Sequence, residues 1–435
     1  MKSLIISSNG SGGGKTTFTL GLMKALKDRG YEVQGYKAGP DYIDPGFHKE
    51  VTKRESRNLD LFLMGEEGVL ASYNRGKGEI GIIEGVMGLY DGRGIDTDYS
   101  TYHLSETLDN APIVLVITPK AQSVTLCAEL NGIKDFKNAN IVGVVLNKIS
   151  EKYYKLLKSA IEANCSMKVF GYIPKDETIA LESRHLGLVQ SVEVKNIIEK
   201  IDRVKELIET HVDVDGIIDC LKERKISKDN FHVKNIGLKT AVAYDEAFRF
   251  YYKENLELLE ELGEIKYFSP LKDAKLPEDI DFLYLGGGYP EVFKEELSKN
   301  LPMRNSIKKA LESGLKCYGE CGGLMYLMEE IEGNHMVGFL KGKARMTKSL
   351  NRFGYAKVTM KNNPNIAINC HEFHKSTIDT EEEAVYNVEK QGYDGELLKW
   401  NCGYFKNNTL GGYPHIHFFG NLEFLMNLIS LNNKK

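Results

Sequence analysis

The stretch SSNGSGGGKTT at residues 7–17 joins a short apolar run (2–7) to a stretch of helical period (15–29). Few local patterns restrict a fold as strongly. Backbone N–H groups can converge on a phosphate where glycines keep side chains away, and the following helix N-terminus adds a favourable dipole. Gly10, Gly12, Gly13 and Gly14 supply the open backbone, with Asn9 where the eight-residue pattern usually begins with glycine. Lys15 is positioned to neutralise β/γ-phosphate charge, and Thr16, followed by Thr17, to offer a hydroxyl to Mg²⁺. The expected ligand is ATP with Mg²⁺.

The rest of the first half repeats the theme. Apolar, β-branched runs at 79–86, 111–119 and 140–150, with shorter ones at 31–39 and 168–174, alternate with helical or loop stretches. That alternation predicts a mostly parallel sheet covered by helices on both faces, of the P-loop NTPase kind. Residues 191–232 are charged, helical in period and without a strand signal, and read as a helical end and linker closing a first domain at 1–232. A second strand–helix series occupies 235–435, making a second α/β domain. In its C-terminal part the strand signals are GYAKVTM and GGYPHIHFFG, followed by a final helix.

A metal bound to phosphate also takes oxygen ligands from loops at neighbouring strand ends. YKAGPDYIDPGFH carries Asp41 and Asp44, and IIEGVMGLYDGRG carries Glu84 and Asp91. In a parallel sheet these loops emerge at the edge that holds the glycine loop. Asp41 and Glu84, with Thr16, are the candidate metal ligands.

The second domain contains KCYGECGGLMYL, in which Cys321 stands between glycines on a strand–turn–helix elbow. Such an elbow projects its central side chain into solvent and aims a helix N-terminus at it, which favours the thiolate. The N–H of Gly322, with a second from Gly288 in LGGGYP, would form an oxyanion hole. GGYPHIHF supplies His415 as the base, with His417 two residues on. Cys317 falls within the strand and reads as core. A thiol with a histidine attacks a carbonyl, and a nucleotide site can activate an acid by phosphorylation. Together they describe ammonia release from an amide coupled to ATP-driven amidation.

These segments resemble the cobyrinic acid a,c-diamide synthase family, glutamine-dependent ligases that amidate tetrapyrrole side chains. GGGKTT, KAGPDYIDPGFH, IIEGVMGLYDG, GVVLNKIS, ESRHLGLV, DEAFRFYY, LYLGGGYPE, GECGGLMYL, HEFHKS and YPHIHF carry the resemblance over nearly the whole length. It implies a class I glutamine amidotransferase-like second domain, L-glutamine and a polycarboxylate tetrapyrrole as partners, and an acyl-phosphate mechanism. It puts Lys15 and Thr16 on nucleotide and metal, Asp41 and Glu84 on metal or catalysis, and Asp91 near the reacting carboxylate. It puts Tyr42 and Asp44 at the corrin, Asn147 at the adenine, and Arg184 and His185 near a polyanionic substrate or in loop packing. Related amidotransferases carry a glutamate two residues after the histidine. Here that position is His417, so a Cys321–His415 dyad is expected. The spacing of His371, Glu372 and His374 suits a structural or substrate-loop role better than a metal site.

Bulk properties exclude other classes. A net charge of −4 gives no electrostatic case for nucleic acid or an anionic membrane. The seven cysteines include no Cys-x-x-Cys pair, and scattered thiols in a chain of this size suit a reducing cytoplasm. No apolar run is long enough to span a bilayer. The same chemistry on hydrogenobyrinic acid or nickel-sirohydrochlorin stays open. A partitioning-type regulatory ATPase fits less well, because a second catalytic domain follows. Oligomeric state is not fixed by the sequence, and a homodimer stays open.

Overall fold

The computed structural model describes residues 1–179, 191–224 and 228–430. Arg184 and His185 lie outside them. The chain divides into two compact units, Met1–Leu61 with Val69–Asp229, and Phe62–Gly68 with Asn230–Lys435. The excursion of Phe62–Gly68 into the second unit carries no sequence signal.

In the first unit, seven parallel strands form one sheet: β1 (Lys2–Ser7), β2 (Val33–Ala38), β3 (Arg57–Leu59), β4 (Ile80–Glu84), β5 (Ile113–Ile117), β6 (Ile141–Asn147) and β7 (Val169–Ile173). Their order is β3-β2-β4-β1-β5-β6-β7, with Lys222–Glu223 pairing antiparallel to β1. The chain thus fans out on both sides of β1, the reversal point at which open α/β sheets bind ligands. Strands β4 and β5 are buried throughout, as a sheet covered on both faces requires.

Helix α1 (Lys15–Asp28) follows the glycine loop, and α2 (Asp44–Thr52) follows the β2 loop. Helix α3 (Ser191–His211) packs on α1. A Cβ at Gly21 would lie 2.4 Å from Val204 Cγ1, so glycine permits this approach. Ile201, Val204, Leu207 and Ile208 of α3, then Val212, Val214 and Ile217, belong to the same core as β1 and α1. The stretch expected to be a helical end and linker therefore contributes its apolar residues to the core.

The second unit is built on a sheet of β8 (Leu238–Ala243), β9 (Gly263–Phe268), β10 (Phe282–Leu285), β11 (Lys316–Glu320), β12 (Arg352–Met360), β13 (Asn363–His374), β14 (Ala384–Gln391), β15 (Leu397–Lys406), β16 (Thr409–Gly412) and β17 (His415–Ile416). The order is β9-β8-β10-β11-β16-β15-β14-β12-β13-β17. Strands β9, β8, β10, β11 and β16 run parallel, and the remainder are antiparallel. Helix α4 (Gly322–Leu327) leaves the end of β11. No helix among the described residues is long and apolar enough to cross a membrane.

Candidate active site

The loop after β1 has the backbone that its glycines anticipate. Gly12 and Gly14 take φ of +77° and +92°, which side-chain-bearing residues rarely adopt. A Cβ at Gly14 would come within 2.1 Å of Asn147 Nδ2. That amide donates to Gly13 O at 3.1 Å and to Thr118 Oγ1 at 3.2 Å, so Asn147, at the end of β6, props the loop. Lys15 is buried and folds inward, donating to Met87 O at 2.5 Å, Gly10 O at 3.0 Å and Ser8 Oγ at 3.2 Å. Burial, and next the charge of Lys37, push its ammonium down to about 8.

Beside it lies a buried network that the sequence only half disclosed. Parallel register sets Lys37 of β2 opposite Glu84 of β4. Lys37 Nζ lies 3.0 Å from Glu84 Oε1 and 2.6 Å from Asp44 Oδ2. Thr16 Oγ1 donates to Glu84 Oε1 at 2.5 Å, and His48 Nε2 meets Glu84 Oε2 at 2.8 Å. Burial alone would push the Glu84 carboxyl up, but Lys37, His48 and Thr16 hold it well below the carboxylate range. For Lys37, burial opposes the charge, yet Glu84, Asp44 and Asp41 hold the ammonium well above its usual range. Asp44 is pushed up to about 8 by burial and the charge of Glu84, with Lys37 pulling the other way. Lys37 and His48 were not singled out from the sequence, because only the register of β2 and the turn into α2 bring them to Glu84.

Asp41 Oδ1 accepts from the N–H groups of Ile43 at 2.6 Å and Asp44 at 3.3 Å, which fixes the start of α2 beside the network. Asp91 is exposed and accepts from Gly88 N at 2.8 Å, while its charge reaches Lys15. Tyr42 and Thr17 are half-buried in the same loop and helix start. Among the described residues no group of three or more His, Cys, Asp or Glu is poised to hold a metal by itself. The donors near the loop are oxygens, Thr16 first, and suit a hard cation that also binds phosphate and water. Both oxygens of Glu84 are engaged, so its shortest route to such a cation runs through the Thr16 hydroxyl.

In the second unit, the turn between β11 and α4 is an elbow. Cys321 takes φ +50° and ψ −100°, a strained conformation for a non-glycine residue, and its N–H donates to Gly412 O at 2.7 Å. The thiol was expected to project into solvent, but Cys321 is only 6% exposed and His415 only 3%. His415 lies close enough to Cys321 for the thiol to lead the groups that raise its proton affinity. A Cβ on Gly322 would lie 3.1 Å from Gly288 N, so the two expected oxyanion donors belong to neighbouring backbone segments. A Cβ on Gly287 would lie 2.6 Å from His415 Cε1, so glycine there lets the loop close over the imidazole.

The expected dyad is incomplete as a description. His415 Nδ1 lies 3.1 Å from Glu320 Oε1. Burial opposes protonation of His415, but Cys321 and Glu320 raise it to about 10. The sequence reading missed Glu320, although it directly precedes Cys321. Cys317 is wholly buried in β11, with its thiol pushed far up by burial. Glu372 and His374 pair at 3.2 Å, His374 stacks on Tyr413 with ring centroids 3.8 Å apart, and the Trp400 indole donates to Glu372 at 3.3 Å. These contacts favour the structural role of that segment.

Comparison with known proteins agrees with both halves. The CobQ/CobB/MinD/ParA nucleotide binding domain matches residues 4–189, and the CobB/CobQ-like glutamine amidotransferase domain matches residues 239–422. A cobyrinate a,c-diamide synthase from Clostridium acetobutylicum is 63% identical, over 99% of this chain and 100% of that protein. The protein of that name from Clostridium tetani is 58% identical, again over 99% of this chain and 100% of the relative. The one from Listeria innocua is 42% identical over the full length of both. The chain belongs to the cobyrinate a,c-diamide synthase family of glutamine-dependent ligases.

Proposed function

We propose that the enzyme amidates the a and c side-chain carboxylates of cobyrinic acid, with nitrogen from glutamine and energy from ATP. The observation that carries the reading is a histidine-paired thiol on a strained elbow, in the same chain as a lysine-bearing phosphate loop. The name shared by the relatives supports this substrate.

In the glutaminase half, Cys321 Sγ attacks the amide carbon of glutamine and its proton resides on His415. Backbone N–H groups of Gly322 and Gly288 stabilise the oxyanion. His415 returns the proton to the leaving ammonia, and the thioester remains. Water, deprotonated by His415, then releases glutamate.

In the synthetase half, a substrate carboxylate oxygen attacks the γ-phosphorus of ATP, and ADP leaves. Ammonia attacks the acyl carbon of the acyl-phosphate, and phosphate departs with the C–O bond. The N–H groups of Gly10–Gly14 and the Lys15 ammonium would hold the phosphoryl oxygens. Thr16 and Asp41 would hold Mg²⁺, with Glu84 acting through the Thr16 hydroxyl, and the ion would supply neutralisation of phosphate charge. Asp91 accepts a proton near the reacting carboxylate. Asp44, paired with Lys37 at 2.6 Å, would help form the corrin site with Tyr42. Asn147 props the loop through its Nδ2 and would lie near the adenine.

Incubation with cobyrinic acid, MgATP and glutamine tests the reading by mass spectrometry. Two hydroxyl-to-amino exchanges per ring are expected. Absence of amide from either glutamine or ammonia would remove cobyrinic acid, and hydrogenobyrinic acid and nickel-sirohydrochlorin would be tried in its place.

Gly14→Ala tests the loop. Positive φ and the clash with Asn147 are expected to cost ~1–3 kcal/mol of stability. MgATP affinity should fall about tenfold or more while ammonia release from glutamine persists. Calorimetric titration with MgATP measures the first, and unchanged affinity would refute the close fit.

A further inference from the structure

We propose that Glu320, the residue immediately before the nucleophile, is the carboxylate that orients His415, so that the elbow itself carries two of three members of a Cys321–His415–Glu320 relay. The assignment rests on the reading of Cys321 as the glutaminase nucleophile.

His417 occupies the downstream position where related enzymes carry their acid, and it cannot take that role. Its Nε2 faces Glu254 Oε2 at 3.4 Å, its Nδ1 accepts from Phe419 N at 3.2 Å, and it is fully buried. The acid that does reach His415 comes from the other direction. Glu320 Oε1 lies 3.1 Å from His415 Nδ1, and Oε2 accepts from Ile416 N and Tyr318 Oη, each at 3.2 Å. Both oxygens are thus fixed, and Glu320 is 1% exposed. A buried carboxylate held this tightly has little freedom to do anything except keep Nδ1 protonated. That leaves Nε2 to face the thiol.

The elbow explains how one strand end supplies both groups. Successive residues of a strand point to opposite faces, so Glu320 and Cys321 could not normally reach one imidazole. Strand β11 ends at Glu320, in parallel register with Gly412. Cys321 then turns to φ +50° and ψ −100°, which breaks the alternation. His415 arrives from β17, three residues beyond β16, and meets the carboxylate with one nitrogen and the thiol with the other. The charge-bearing groups around the imidazole are Cys321, Glu320 and His371, the last opposite it in the β13–β17 pair. Burial pushes His371 down to about 3, so it stays neutral and adds no competing titration between pH 5 and 9.

In the reaction, the thiol proton moves to Nε2 as the carbon–sulfur bond forms. The Nδ1 proton stays on the ring, directed at Glu320 Oε1. Glu320 is therefore a positioning residue, and its loss should change the proton affinity of the imidazole as well as the rate.

The test compares Glu320→Gln and Glu320→Asp with the parent enzyme, reading glutamine-dependent ammonia release, alkylation of Cys321 by iodoacetamide against pH, and amidation supported by free ammonia. Glu320→Gln should lower kcat of ammonia release by ~10²–10⁴-fold. It should also change the pH profile of Cys321 alkylation, because the imidazole beside the thiol loses part of its hold on its proton. Glu320→Asp should recover part of both, and ammonia-supported amidation should stay within about twofold of parent in both variants. In a His415→Asn background, adding Glu320→Gln should cost less than about twofold, since Glu320 acts only through His415. An unchanged alkylation profile, losses that add in the double variant, or collapse of ammonia-supported amidation in both single variants would each overturn the assignment. Alkylation needs neither tetrapyrrole nor ATP, so an error in the proposed substrate would leave that result intact.

Discussion

Cys321→Ala is expected to abolish glutamine-dependent amidation, by on the order of 10⁴-fold or more, and to leave ammonia-dependent amidation within about twofold. Neither Cys317 nor Cys402 can take over. Cys317, four residues earlier, is fully buried within β11 with its thiol pushed far up. Cys402 is 3% exposed and pushed up to about 12 by burial and the neighbouring Glu372. The fold should tolerate the change, because the strained φ of +50° is imposed equally on either side chain and little volume is lost. The imidazole should register it. Burial works against the His415 proton, and Cys321 heads the groups that retain it, so removing the thiol should lower the affinity of His415 for its proton from about 10. Amide formation from each nitrogen source gives the first readout, and NMR titration of His415 the second. Glutamine-dependent turnover above about one per cent of parent would rule out Cys321 as the nucleophile.

Features with strict local backbone demands were legible in the sequence. The glycine loop and the Cys321 elbow each need residues whose types announce the conformation, and both stand where they were expected. Features made by register were not. Lys37 joins Glu84 only because β2 and β4 run parallel with those residues opposed. Glu320 gains its meaning from His415, 95 residues later in the chain, so no window around Cys321 could have disclosed it. The core residues of α3 were hidden by the charges that share its helical period. The antiparallel strands β14 and β15 were missed for a related reason. AVYNVEKQ and LLKWNCGYFK bury few positions, so their apolar signal is diluted by the exposed Asn387, Lys399 and Asn401.

Lys15→Met should separate function from stability, with effects of opposite sign. Losing the cation from the phosphate loop is expected to lower amidation ~10²–10³-fold with glutamine and with ammonia alike, because the lost charge acts on the phosphoryl group that both reactions share. Stability should not fall with it. In the folded protein burial, and next Lys37, push Lys15 down to about 8 from an unfolded value near 10.5. Between those values the unfolded chain binds more protons than the folded one, so stability rises with pH across that window. Below about pH 8 the ammonium burdens the fold by on the order of 3 kcal/mol, before its bonds to Met87 O, Gly10 O and Ser8 Oγ are counted against that cost. Methionine has similar length and no charge to desolvate, while the two carbonyls lose a donor at ~1 kcal/mol each. At pH 7 the variant should therefore melt at or slightly above the temperature of the parent. The excess should shrink as the pH is raised from 8 to 9.5, because the parent lysine gives up its proton over that range. Taking the difference between the two proteins cancels the tyrosines and other lysines that titrate nearby. Melting curves at pH 7, 8 and 9.5, beside amidation assays with both nitrogen sources, make the comparison. A variant that melts well below the parent at pH 7, or a difference that does not change with pH, would mean that Lys15 strengthens the fold. In that case the loop would not hold a charge at a cost in stability for the nucleotide to use.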